Sequence, residues 1–328
     1  MTIAPAVDEI AEPRSANPKQ TVLLLGPQGR VPTLGAVLKE YGVSDRIATV
    51  TAGWQEREDE IQALQAHLDG RSVNLRLYQR GDEVFHSDPE LRNLHQERQR
   101  KLRQAQSLYD LRLRHAMEAA FALAERTDTG EIVDELRAEA LEAVRDLDRR
   151  HLERVRRIHE EFEPRLRLDR RSVVRRHRDE VARIVGDASA LAIAGGHVAV
   201  LLNRLRMFDV LSPVGDRPVV GWSGGAIVLC ERVVLYHDSP PQGPGNAEVF
   251  EWGLGACRGV VAVPHASRRL RLGDGDRVAR WAQRFRPAAS YALDDEAWIA
   301  TGPFGWRASP AVRRLTEEGS VVAAEMPR

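Results

Sequence analysis

Cysteine is nearly absent: only Cys230 and Cys257 occur in 328 residues. Two such residues build neither a disulfide framework nor a zinc-ligand spacing, so no metal or cofactor site is expected, and the scarcity fits a reducing compartment. Aromatic residues make up only 5% of the chain, which leaves Leu, Val and Ala to fill the core. Net charge is missing too, because 48 Lys and Arg balance 48 Asp and Glu. No overall field therefore draws the chain to nucleic acid or to an anionic membrane. No apolar run approaches the ~18 residues that suit a membrane span. The opening MTIAPAVDEIAEPRSANPKQ has no basic start and no apolar stretch. Residues 1–19 accordingly read as a disordered lead-in without a secretion signal, and the expected location is the cytoplasm.

What is present begins with TVLLLGPQG, a short apolar run closed by Gly and Pro, as a buried parallel strand reads. A helix over 33–41, a strand over 46–51, a helix over 56–68 and a strand over 72–78 follow. This alternation predicts a doubly wound, mostly parallel α/β sheet, with residues 20–87 as its first part. From 88 to 185 the chain becomes rich in Arg, Glu, Leu and Ala and almost free of Gly and Pro. Thr127-Asp128-Thr129-Gly130 breaks it once and Pro164 again. Ile132, Leu136, Ala140, Val144, Leu147, His151, Val155, Ile158 and Phe162 recur at steps of three or four. That pattern is one apolar stripe on a long helix. Leu91, Leu94, Leu102, Leu108, Leu111 and Ala119 mark a first arm less regularly. An inserted antiparallel helical hairpin, followed by a third helix over 170–185, is the reading. The α/β pattern resumes with SALAIAGG and occupies 186–328.

Gly221-Trp222-Ser223-Gly224-Gly225 fits G-x-S-x-G, with the apolar run PVV before it and AIVL after it. In that setting a serine leaves the end of a strand and faces upward at the start of a helix, and glycines relieve the crowding of the tight turn. A nucleophilic Ser223 needs a base and an orienting carboxylate. Six of the ten histidines lie from His86 to His177, in or beside the helical segment, and His67 sits on an exposed-looking helix end. Of His197, His237 and His265, the last follows the strand GVVAV and Pro264, at the end of a strand where open α/β sheets place their sites. His265 is the expected base. Asp238 directly follows VVLYH and is the chosen acid, with Glu248 and Glu251 as substitutes. Ala194-Gly195-Gly196-His197 exposes backbone N–H groups between strand and helix, so the Gly196 and Gly224 amides could jointly hold an oxyanion.

These segments resemble peptidase family S51, the dipeptidase E and cyanophycinase group within the class I glutamine-amidotransferase-like fold. LAIAGGHVAVLLNRLR is similar to the family's strand, Gly-Gly-Asn turn and helix, and VVGWSGGAIVL to its Gly-x-Ser-Ala-Gly-Ala elbow. GVVAVPHASRRL resembles the segment bearing the catalytic histidine, and YALDDEAWIATG the late hairpin. The resemblance implies a serine-type peptidase or amide hydrolase with Ser223 as nucleophile, His265 as base, Asp238 as its orienter and an acyl-enzyme intermediate. Gly224 stands where the family has alanine, and His197 where it has asparagine. Cleavage beside an aspartyl residue is implied as well, for which His197, Arg268 and Arg269 are the candidate substrate-binding residues.

The run RRHLERVRRIHEEFEPRLRLDRRSVVRRHR admits two readings. One is a phosphate-binding face. The favoured one is a solvated, salt-bridged helix surface, because acidic residues are interleaved and aromatics for base stacking are scarce. The apolar stripe then serves the hairpin, a homo-oligomer or a protein partner through residues 90–165. The alternative to an enzyme is a degenerate scaffold whose hairpin binds a protein or nucleic acid.

Overall fold

The structure, a computed structural model, describes residues 17–238 and 245–325. Most of the expected lead-in thus lies outside the described residues. In chain order the elements are β1 (Val22–Leu25), α1 (Leu34–Glu40), β2 (Ile47–Val50), α2 (Gln62–His67), β3 (Ser72–Asn74), α3 (Leu77–Ser87), α4 (Pro89–Ala124), α5 (Glu131–Leu166) and α6 (Ser172–Gly186). They continue with β4 (Ala190–Ile193), α7 (Val198–Met207), β5 (Val219–Trp222), α8 (Gly224–Leu229), β6 (Arg232–Leu235), β7 (Glu248–Trp252), β8 (Val260–Pro264), α9 (Ala266–Arg269) and α10 (Gly275–Phe285). Last come β9 (Ala289–Leu293), β10 (Trp298–Gly302), β11 (Gly305–Ala308), β12 (Arg313–Leu315) and β13 (Val321–Ala323).

The main sheet runs β11-β10-β1-β5-β4-β2-β3. Its five strands from β1 to β3 are parallel, and β10 and β11 add an antiparallel edge. Alternate side chains feed two apolar layers. Leu23, Leu25, Ala190, Ala192 and Val220 pack with Leu34 and Leu38 of α1, Leu64 of α2 and Leu68 just after it. Leu24, Leu191, Ile193 and Val219 face the opposite way, toward Leu201, Leu205 and Val228 of α7 and α8. Helices on both faces explain why the parallel strands read as unbroken apolar runs. The later strands do not join this sheet. β8 and β9 are parallel neighbours in a second sheet, β13-β12-β9-β8, and β6 and β7 form a separate antiparallel ribbon.

Several sequence expectations shift locally. Residues 52–57 form a 3₁₀ turn and helix α2 begins only at Gln62. β3 ends at Asn74, and the helical region starts at Leu77, before the expected boundary at 88. Pro164 does not interrupt: it lies inside α5, which continues to Leu166. The α4–α5 hairpin is present, but its stripes are only half used. Ala105, Tyr109, Leu113, Met117 and Ala120 form the buried side of α4, whereas Leu108 and Leu111 are exposed. On α5 burial runs from Val144 to Leu166, while Ile132 and Leu136 near the tip face solvent. A buried polar cluster ties the hairpin to the core. Arg284 of α10 donates to both oxygens of Asp148 (2.7 and 2.8 Å), and the Tyr109 hydroxyl donates to the same carboxylate at 2.8 Å. Several arginines of the run form ion pairs, among them Arg156–Glu160, Arg165–Glu97 and Arg171–Asp88. Among the described residues no helix is long and apolar enough to cross a membrane.

Candidate active site

Ser223 follows β5 directly and begins α8, with φ 53° and ψ −123°. A non-glycine residue held at such a φ is strained, and the neighbouring chain must enforce it. Here the enforcement is backbone packing. A Cβ on Gly225 would stand 2.1 Å from the Ile193 carbonyl oxygen, so only glycine lets α8 dock on the end of β4. The elbow predicted from G-x-S-x-G is therefore the observed geometry.

His265 follows β8 with φ 59° and ψ 31°, in the left-handed region. It approaches the serine from the second sheet, and its Nε2 lies 2.5 Å from the Ser223 Oγ. The two residues stand 42 positions apart in sequence. Half-burial and the cationic Arg269 and Arg268 hold its pKa below the ordinary histidine value, with Asp294 and Asp295 pulling the other way. The ring is thus neutral at neutral pH, the state a base requires.

The glycine pair after β4 reaches the same place. A Cβ built on Gly195 would lie 2.7 Å from the Ser223 Cβ and 2.8 Å from the Gly224 nitrogen. Gly196 adopts φ 109°, and a Cβ there would meet the Gly53 carbonyl oxygen at 2.3 Å. The expected oxyanion residues are thereby brought to the serine. A cavity of about 710 Å³ opens over them, lined among others by Gln28, Arg30, Trp54, His67, Trp222 and Arg268. His67, which the sequence left on an exposed helix end, belongs to this wall.

Asp238, the expected acid, is not among the charges that act on His265. Asp238 is buried, but its carboxylate receives a two-pronged bond from Arg277 (2.5 and 2.8 Å) and the Arg271 amide (2.8 Å). Strand β6, which leads to it, sits in the β6–β7 ribbon rather than beside β8. The substitutes are engaged too. Glu251 binds Arg206 and His159, and Glu248 sits on β7 near Gln106. The carboxylates that act on His265 are Asp294 and Asp295. β8 and β9 are parallel with Pro264 opposite Leu293, so His265 and Asp294 leave adjacent strands in step. Asp294 also accepts from the Ser267 amide in the turn after the histidine, at 3.2 Å to each oxygen. The signal was in YALDDE: an acidic pair at the carboxyl end of a strand. The more obvious strand-end position of Asp238 concealed it.

His197 does not line the cleft. Its Nδ1 accepts from the Val200 amide at 3.4 Å, capping α7, and its side chain borders a different cavity. Arg268 lines the cleft, whereas Arg269 does not and instead adds charge near His265. No group of three or more His, Cys, Asp or Glu suited to a metal ion occurs among the described residues.

Residues 142–302 match the model of peptidase family S51. This part of the chain is similar to peptidase family S51. It spans Ser223, His265 and the Asp294–Asp295 pair, together with most of α5 and all of α6. The S51 match supports a hydrolase. No curated protein matches the chain. Among solved structures, the crystal structure of a peptidase from an acI-B1 Actinobacterium aligns at 12% identity and a TM-score of 0.45, over 93% of this chain and 97% of that one.

Proposed function

We propose that the chain is a serine peptidase or amide hydrolase acting through Ser223, His265 and Asp294. The observation that carries this reading is the 2.5 Å approach of Ser223 Oγ and His265 Nε2, from two separate sheets and with both residues held at positive φ. In the proposed reaction the Ser223 oxygen attacks the substrate carbonyl carbon while its proton passes to His265 Nε2. The carbonyl oxygen takes up negative charge and is held by the Gly196 and Gly224 amides. Collapse breaks the C–N bond, His265 gives its proton to the leaving amine, and an ester to Ser223 remains. Water, deprotonated by the same ring, then hydrolyses the ester. Asp294 orients the imidazole and stabilises its charged form. Arg268, at the cleft wall, suits a carboxylate on the substrate.

The test is a serine-directed fluorophosphonate. The adduct is expected on Ser223, with neither labelling nor peptide hydrolysis in Ser223→Ala. An intact, folded protein that fails to label under conditions that label a known serine hydrolase would overturn the proposal. The scaffold reading would then stand.

A further inference from the structure

A second cavity of about 740 Å³ lies between the helical hairpin and α7, away from the cleft over Ser223. Its size falls within the range of small-molecule sites, roughly 300–1,000 Å³. Apolar side chains from four elements or connections, Leu102, Val155, Leu168 and Phe250 among them, form much of its wall. Its polar lining is unbalanced: it includes Arg98, Arg103, Arg204 and Arg206 but only two carboxylates, Asp110 and Glu251. Glu251 is already taken by Arg206 and His159. Asp110 accepts from Gln106.

Three further guanidiniums, those of Arg98, Arg103 and Arg204, share this space. Arg98 hydrogen-bonds the His95 ring at 3.3 Å and feels the charge of Glu251, which Arg206 also holds, and its buried Nε has no hydrogen-bond partner. The Nε of the buried Arg204 also has none, although the same guanidinium donates to Asn203 at 2.9 Å, lies over the Tyr78 and Phe85 rings and pairs with Asp82 at 3.7 Å. Burial and the charges of Arg98, Arg204 and Arg103 push the His95 pKa down to about 3, so that ring is neutral and adds no compensating charge. Buried guanidinium groups with unfilled hydrogen bonds and few anions near them are costly. An apolar chamber that concentrates them has the character of a site for a ligand with a negative head and an apolar body.

We propose that this cavity binds an amphipathic organic anion, its carboxylate or phosphate at Arg98, Arg103 and Arg204 and its hydrocarbon body against the apolar wall. The site shares His197 with the turn that carries Gly196, but the proposal does not depend on the hydrolytic reading. The probe is 1-anilinonaphthalene-8-sulfonate, titrated at constant ionic strength with the full chain. Saturable fluorescence with a stoichiometry near one is expected. Octanoate or octyl phosphate should displace the probe, and octanol at equal concentration should not; the relative potency of the two acids separates carboxylate from phosphate. Arg98→Gln should weaken binding at least tenfold. Arg103→Glu, at an exposed position that tolerates change, should do the same with an unaltered thermal transition. Non-saturating fluorescence, displacement by octanol as effective as by octanoate, or unchanged affinity in folded Arg103→Glu would each overturn the proposal.

Discussion

Asp294→Asn and Asp238→Asn should fail in opposite ways. Asp294 sits in the turn beside His265, half-buried, and bonds the Ser267 amide. Asparagine retains an oxygen to accept that bond, so the melting temperature should barely move. What is lost is the negative charge that favours the imidazolium and that, in the proposed reaction, orients the ring. Removing such a carboxylate lowers kcat by roughly 10³–10⁴, which is about 4 to 5.5 kcal/mol of transition-state stabilisation at ~1.36 kcal/mol per tenfold. Asp238 is 6% exposed and holds Arg277 in a two-pronged pair. Neutralising it strands a largely buried guanidinium, at a cost on the order of 3–5 kcal/mol. For a chain of this size that lowers the melting temperature by roughly 6 °C or more. Well below that transition, kcat should stay within about threefold of wild type. Steady-state kinetics on a chromogenic amide and thermal unfolding followed by circular dichroism measure both quantities on the same samples. Asp295→Asn, with kcat largely retained, separates the two neighbouring acids. A folded Asp294→Asn enzyme with near-normal kcat, beside an Asp238→Asn enzyme that is folded but inactive, would refute the assignment.

Because His265 is held below its ordinary pKa by burial and by Arg269 and Arg268, it stays neutral to lower pH than a free histidine. The acid limb of kcat/KM should therefore fall below that of an unperturbed histidine. Arg269→Gln removes one repelling charge and should move that limb to higher pH, as a pH–rate profile would show. Gly225→Ala places a methyl 2.1 Å from the Ile193 carbonyl and should destabilise by about 1–3 kcal/mol, or more if β4 cannot yield; denaturant unfolding measures it. Asp148→Ala removes the partner of fully buried Arg284 and should cost on the order of 3–5 kcal/mol by the same measurement.

The local order of the chain determined much of the molecule. Runs such as TVLLLG and SALAIAGG can be satisfied only as strands buried on both faces, and β1 and β4 form there. The glycine spacing around Ser223 encodes an elbow, because the steric demand of that turn falls on residues adjacent in sequence. The hairpin was legible from its helical periodicity and from the Thr127–Gly130 break. Sheet membership was not. β6 and β8 read alike as short apolar strands, yet one entered a ribbon and the other a second sheet. Strand pairing is a long-range choice, decided by packing that no local pattern records. That choice decided which carboxylate stands near His265. Asp238 and Asp294 both end strands, but only β9 pairs beside β8 in step, so Asp294 accompanies His265 while Asp238 meets Arg277. The same holds for the hairpin: periodicity gave its stripe, and the placement of the core against it decided which half is buried, which tip is exposed and where an arginine-lined cavity is left between helix and sheet.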